Sequence, residues 1–236
     1  MNSTCNPRRV LVIAAHPDDE VLGAGAAVAR FVREGSAVAS LILGRGVRSR
    51  YDLASSPTPA NLDKQVSALF ENMHTAHAIL GDELLEVGDF PDNQMDSVPL
   101  LDVIRFIESA IEQFHPTWVL THGAGDVNID HRVVHEAVLA AARSQPGSGV
   151  ELLGFFPILS STEWRPPSSQ SFQPNLFVDV SGYASIKAAA LSAYESELRA
   201  APHPRSLEVS AAQMQVWGSV MGVQTAEAFQ LGRWRL

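Results

Sequence analysis

Thiol chemistry is nearly absent from this chain of 236 residues, which has a single cysteine, Cys5, in its N-terminal tail. One cysteine excludes an intramolecular disulfide and a cysteine metal cage, and is compatible with a reducing compartment. Basic residues are also scarce: 17 Lys and Arg face 26 Asp and Glu, for a net charge of −9. Nucleic acid and anionic membranes reward basic patches, so neither is expected as the main partner, although a local basic pocket is compatible with this balance. No apolar run approaches 18 residues, so no membrane-spanning helix is expected. The opening MNSTCNPRRV lacks a charged region leading into a long apolar core and a cleavage site, which makes the cytoplasm the expected location. No internal repeat stands out.

What is present is an alternation of strand and helix patterns. RRVLVIAAH (8–16) and AVASLILG (37–44) are short, continuous apolar runs with β-branched residues, and the segment between them has helical spacing and stops at Gly35. Two such runs in a β-α-β unit suggest parallel strands covered on both faces. Further strands are expected at ELLEVG (83–88), TWVLTHG (117–123), within GSGVELLGFFPI (147–158) and at LFVDVS (176–181). Helices are expected over 62–81, 100–115, 131–143, 182–199 and 205–222. The fold class is therefore α/β: a Rossmann-like three-layer sandwich with a mostly parallel sheet. One domain spans about 8–236, with a sheet core over about 8–156 and an α-rich C-terminal extension over about 157–236. The Ser- and Pro-rich stretch 159–174 contains Glu163 and Trp164 and is taken as a functional surface loop rather than a linker.

The first strand ends in His16-Pro17-Asp18-Asp19-Glu20, three carboxylates and an imidazole at the mouth of a core strand. In open parallel sheets ligands bind beyond the carboxyl ends of the strands. THGAGDVNIDH (121–131) leaves the same edge after the fourth strand, so the two clusters can meet across more than 100 residues of sequence. Adjacent carboxylates in a partly dry site repel unless one protonates or a cation is present, and His nitrogen with Asp oxygen suits zinc. A catalytic zinc site takes three protein ligands and leaves a position for water, and two ligands from the first loop with one from the second meet that count. The competing reading is a helix cap by Asp18 or Asp19 in an acidic first turn, with Glu20 as a dipole partner or supporting residue. Gly23 and Gly25 invite a dinucleotide fingerprint, but its third position is Val28 and the acidic triplet would repel a pyrophosphate.

AAHPDDEVLGAGA (14–26) together with DVNIDHRVVHEAV (126–138) resembles the PIG-L/LmbE-like family of zinc-dependent N-acetylglucosaminyl deacetylases. SSTEW (160–164) and PHPRS (202–206) are similar to a bacterial branch, and the likeness runs from about residue 8 to 229. The resemblance implies a Rossmann-like fold and hydrolysis of an N-acetylated amino sugar joined to a carrier. It also implies His16, Asp19 and His131 as ligands of one Zn2+, with Fe2+ as the alternative ion. Asp18 matches the general base, and Asp130 the carboxylate that supports the catalytic histidine site. Members often read H-P-D-H where this chain reads Asn128-Ile129-Asp130-His131, so the histidine credited with stabilising the tetrahedral intermediate is Asn128 here. His203 and then His135 are the replacement candidates, with a weaker contribution from Asn128 as the alternative.

His131 and His135 lie four apart on one helix face, so a two-histidine metal pair stays open beside His131 alone. His122 is a candidate pocket residue. Arg45, Arg48 and Arg50 follow the second strand on the functional edge, and with Arg205 and Trp164 they are candidate substrate contacts: guanidinium forks suit hydroxyls and oxyanions, and an indole stacks on a sugar face. Two further readings remain: an amidase acting on a thiol-sugar conjugate, and a non-catalytic sugar- or nucleotide-binding relative. The expected partner is a small N-acetyl amino-sugar conjugate, with a homo-oligomer compatible.

Overall fold

A computed structural model of the chain describes residues 8–46, 59–167 and 171–235. Arg48, Arg50 and Cys5 lie outside these residues. Five strands come first: β1 (Arg9–Ala14), β2 (Ala37–Gly44), β3 (Glu83–Phe90), β4 (Trp118–His122) and β5 (Leu152–Phe156). Helices α1 (Asp19–Arg33), α2 (Pro59–Leu80), α3 (Leu100–Phe114) and α4 (Ile129–Ala141) connect them. The extension adds β6 (Leu176–Asp179), α5 (Ala184–Ala193), α6 (Leu207–Met221) and β7 (Ala226–Trp234).

The sheet has the order β3-β2-β1-β4-β5-β7-β6, with parallel pairing from β3 through β5 and antiparallel pairing of β7 with both β5 and β6. β1 explains the layering. Val10, Val12 and Ala14 face one core with residues of α1, α2, α5 and α6, while Leu11 and Ile13 face the other with α3 and α4. All five side chains are fully buried. Such a strand can only be a central one, and each large aliphatic contributes about 1.5–3 kcal/mol by leaving water. The mostly parallel three-layer architecture matches the expectation, and the extension does bring two helices. It also brings β7, which the apolar pattern did not reveal: AEAFQLGRW has no turn signal or clean alternation to announce a strand, and its place between β5 and β6 is set by tertiary pairing.

The order of strands reverses between β1 and β4, and α1 and α4 leave from opposite faces there. The resulting crevice at the carboxyl ends of β1 and β4 is where a ligand site is expected in such sheets. The glycines of α1 serve packing: a Cβ on Gly23 would lie 2.3 Å from the Phe156 ring, so the helix closes on β5 only because that side chain is missing.

The extension is fastened to α1 by a buried ion pair. Lys187 Nζ lies 2.6 Å from Glu227 Oε1 and also donates to the carbonyl of Leu22 at 2.7 Å. Glu227 in turn accepts from the amides of Ala26 and Ala27 at 3.2 and 2.7 Å. Removing one partner strands a charge in the core. Glu227→Ala should lower unfolding free energy by about 3–5 kcal/mol in urea titrations, and a Lys187→Met/Glu227→Leu pair should lose clearly less. Equal losses for the single and double variants would show that the pair is not held as a buried charge couple.

Candidate functional site

The turn from β1 into α1 presents the acidic run in an unusual backbone conformation. Asp18 occupies the N-cap position of α1 at φ 97°, in the left-handed region that non-glycine residues enter at a cost of roughly 1–3 kcal/mol. Its side chain makes no capping bond. Instead Asp18 Oδ2 receives Arg205 Nη1 at 2.7 Å, and its amide donates to Glu20 Oε2 at 3.0 Å. Glu20 is locked in place by the Tyr194 hydroxyl at 2.7 Å. The helix-cap reading therefore fails for Asp18, and Glu20 supports the turn.

Asp19 joins the two loops. Its Oδ2 lies 3.3 Å from His16 Nδ1 and 3.2 Å from His131 Nε2, and the donor atoms of these three residues all fall within 4.8 Å of one another. Asp19 Oδ1 and His131 Nε2 are buried and lack a hydrogen-bond partner. Two imidazoles and a carboxylate with orphaned donor atoms turned inward fit a divalent ion of borderline softness, and among the described residues no thiolate competes.

The other ring nitrogen of each histidine faces a carboxylate. His16 Nε2 is 2.8 Å from Asp130 Oδ2, and His131 Nδ1 is 3.1 Å from Asp126 Oδ2. Asp130 is itself fixed by the amides of Asn93 and Met95 at 2.5 and 2.9 Å. Asp126 accepts from the hydroxyls of Ser161 and Thr162 and from the amide of Asn128. Such outer carboxylates set the tautomer and aim the ring. Asp92 also approaches His16 Nε2, at 3.3 Å. Asp126 is the residue that sequence reasoning missed. The motif DVNIDH contained the signal for Asp126, five residues before His131, but only the paired loop 159–165 reveals its use.

Burial and charge together shift the titrations. Burial opposes a proton on His16, but hydrogen bonds to Asp130 and Asp19 outweigh it and push the pKa up to about 10. Burial likewise opposes a charged His131, and the charge of Asp19 with the Asp126 contact lifts it to about 9. Asp19 goes the other way: burial would raise it, but His131 and His16 hold it well below the usual carboxylate range. Burial drives Asp18 well above that range despite Arg205. Asp126 falls to about 2, because His131 and Ser161 overcome its burial.

The remaining predicted residues are distributed around this centre. Asn128 caps α4, its side-chain oxygen receiving the Asp130 amide at 2.8 Å. His122 stacks on His131 at 4.1 Å, and its Nε2 accepts from the Ala15 amide. His135 is turned away from the ligand group: its Nδ1 meets the His122 carbonyl at 2.9 Å and its ring lies against Phe155. His203 accepts from the Arg205 amide at Nδ1, which leaves the proton on Nε2, and its ring meets the half-exposed Trp164 edge-on at 6.1 Å. Arg205 also donates to Ser160 Oγ. Arg45 pairs with Asp89 at 2.9 Å on the exposed end of β2. Among the described residues no helix is long and apolar enough to cross a membrane.

The model of the PIG-L family, described as GlcNAc-PI de-N-acetylase, matches residues 11–142, more than half of the chain and both acidic-histidine loops. The chain belongs to the PIG-L family. Among relatives, this PIG-L chain is 29% identical to the Escherichia coli K12 protein YaiS, an uncharacterized deacetylase, over 82% of its own length and 95% of YaiS. It is 27% identical to the 4-oxalmesaconate hydratase of Pseudomonas putida KT2440, over 80% of this chain and 74% of that protein. The conserved protein TT1542 of Thermus thermophilus superposes with a TM-score of 0.73 at 27% identity, covering 97% and 96% of the two chains.

Without a cation, His16 and His131 carry protons at neutral pH, and a ligand must shed its proton to bind metal. Zinc added to the metal-free PIG-L chain at pH 7.5 should release up to two protons, read by calorimetry in buffers of different ionisation enthalpy. Apparent affinity should climb from pH 6.5 through 9 and flatten only above about pH 10, once both free rings are deprotonated. Asp126→Ala should weaken zinc binding about 10- to 100-fold. Proton-neutral binding with pH-independent affinity would remove these rings from the metal.

Proposed function

We propose that this protein is a divalent-metal-dependent amide hydrolase that removes acetate from an N-acetylated amino sugar attached to a carrier. The observation that carries the reading is Asp18: a buried carboxylate beside the His16–Asp19–His131 group, held in a strained backbone conformation and contributing nothing to the helix cap. A site that only bound a sugar would not require it.

His16, Asp19 and His131 hold the ion, which when bound supplies Lewis acidity and a hydroxide source at neutral pH. Asp18 takes the proton of the attacking water. Arg205 anchors Oδ2 and leaves Oδ1 for that proton, and burial gives the carboxyl a basicity suited to accepting it and returning it to the leaving amine. Asp130 and Asp126 keep the two histidine rings aimed. His203, with its Nε2 proton, is the donor for the developing oxyanion, in place of the histidine that Asn128 replaces. Asn128 acts by holding the start of α4, and His135 by packing behind His122. Trp164 offers a face to the sugar, while Arg45 and Arg50 serve as carrier contacts from the sequence that follows β2. Zinc is the preferred ion, with Fe2+ its alternative, and the cytoplasm the working compartment.

The hydratase relative raises the alternative of a carboxylate-rich substrate. The surroundings of the His16–Asp19–His131 group argue against it: Asp18, Asp19, Glu20, Asp92, Asp126 and Asp130 are all buried. A neutral amide and the ammonium it releases suit that field better than a carboxylate would.

Metal-loaded protein should release acetate from N-acetylglucosamine conjugates. Asp18→Asn should keep its metal, by elemental analysis, and lose about 10²- to 10⁴-fold in kcat. Full turnover in that variant would remove Asp18 from the chemistry, and absence of acetate release from every N-acetyl conjugate would overturn the reading.

A further inference from the structure

Three contacts hold Asp18 in its left-handed conformation. Its carbonyl accepts from the amides of Val21 and Leu22 in the first turn of α1, at 3.1 and 2.8 Å. Its carboxylate meets Arg205, and its amide donates to Glu20 Oε2. A strained residue keeps its conformation only while its surroundings over-determine it. Of the three contacts, only the amide bond fixes the peptide that enters Asp18, so the strength of Glu20 as an acceptor matters. Glu20 also accepts through Oε1 from the Tyr194 hydroxyl, at the end of α5.

A third group approaches Glu20 from α2. His77 Nε2 lies 3.8 Å from Glu20 Oε1, and its ring is buried. Among the described residues this nitrogen has no hydrogen-bond partner. The other ring nitrogen is engaged: Nδ1 lies 2.9 and 3.0 Å from the two oxygens of Asp82, and Asp82 Oδ2 also receives the Ser40 hydroxyl at 2.7 Å. The Asp82 side chain has no exposure to solvent. Burial opposes a proton on His77, but Asp82 and the charge of Glu20 outweigh it and raise its pKa. A carboxylate beside a cation stays a charged acceptor, and charge-assisted hydrogen bonds are roughly twice as strong as neutral ones. Asp82, His77 and Glu20 thus form a buried chain of carboxylate, imidazole and carboxylate that ends on the Asp18 amide. A cluster that only joined α2 to the sheet would need Asp82 and Ser40, but not a costly orphaned nitrogen next to Glu20.

We propose that His77 is a positioning residue for the reaction: fixed by Asp82 and acting through Glu20, it holds Asp18 in the left-handed conformation that keeps its carboxylate beside the His16–Asp19–His131 group. Its effect on turnover rests on the reading of Asp18 as general base; its effect on the turn does not.

Two variants separate the ring nitrogens. The amide of His77→Asn reaches about as far as Nδ1, so it keeps a donor on Asp82 and loses the contact with Glu20. The amide of His77→Gln reaches about as far as Nε2 and keeps a donor for Glu20. In the metal-loaded full chain, with acetate release from methyl N-acetylglucosaminide as the assay, His77→Asn should lower kcat about 10- to 100-fold with KM and zinc content unchanged. His77→Gln should recover most of that loss. His77→Asn should add little to the loss in Glu20→Gln, since both act on one contact. A second readout needs no turnover: hydrogen exchange at the Asp18 amide, followed by NMR, should speed up about 10-fold in His77→Asn but not in His77→Gln, while amides inside α1 keep their protection. Equal losses in the Asn and Gln variants, a loss of thermal stability alone, or unmoved exchange at Asp18 would overturn the proposal. Wild-type protein that releases no acetate while exchange at Asp18 follows His77 sinks the deacetylase reading alone. Normal acetate release with unmoved exchange sinks only the positioning role.

Discussion

One carboxylate organises this molecule. Asp19 lies between two imidazoles contributed by loops more than 100 residues apart, with no exposure to solvent and one oxygen lacking any hydrogen bond. Left without a cation, the cluster compensates by holding protons on His16 and His131. A divalent ion removes the need for both. The β1/β4 neighbour relation, the opposite departures of α1 and α4, and the strained Asp18 all bring these three side chains together at the point where strand order reverses.

Around that centre, the C-terminal extension has a job beyond covering the sheet. Residues 160–163 reach the site in two directions. Ser161 and Thr162 hold Asp126, which aims His131, and Ser160 holds Arg205, which grips Asp18. Glu163 ties the turn by accepting from the amides of Ser160 and Ser161. The segment that sequence composition marks as irregular is thus a brace between the His16–Asp19–His131 group and Asp18. On the far side of α1, Lys187 and Glu227 fasten the same extension to the helix that carries Asp19.

Much of this was readable in the residues. Continuous apolar strands separated by helical spacing specify parallel central strands, because only burial on both faces tolerates such runs. The His-Pro-Asp-Asp-Glu run and the Asp-His pair are polar where a core strand ends, and that polarity alone marks a site. What could not be read depends on distant partners. β7 is a strand by virtue of pairing with β5 and β6. Asp126 is indistinguishable from a turn aspartate until the Ser161 hydroxyl is beside it. Arg205 reads as a substrate contact, yet its first neighbour is Asp18. His135 has the i, i+4 spacing of a metal pair with His131, but its ring is drawn to the His122 carbonyl and Phe155.

The claim on which the rest depends is that His16, Asp19 and His131 share a cation. Elemental analysis of purified full-length protein, combined with X-ray absorption at the metal edge, tests it directly. One divalent ion per chain is expected, ligated by two imidazole nitrogens and carboxylate oxygen, and its loss in Asp19→Ala and His131→Ala variants that remain folded. A folded wild-type protein that takes up no ion from excess zinc, or a variant that keeps a full equivalent without Asp19, would contradict the account.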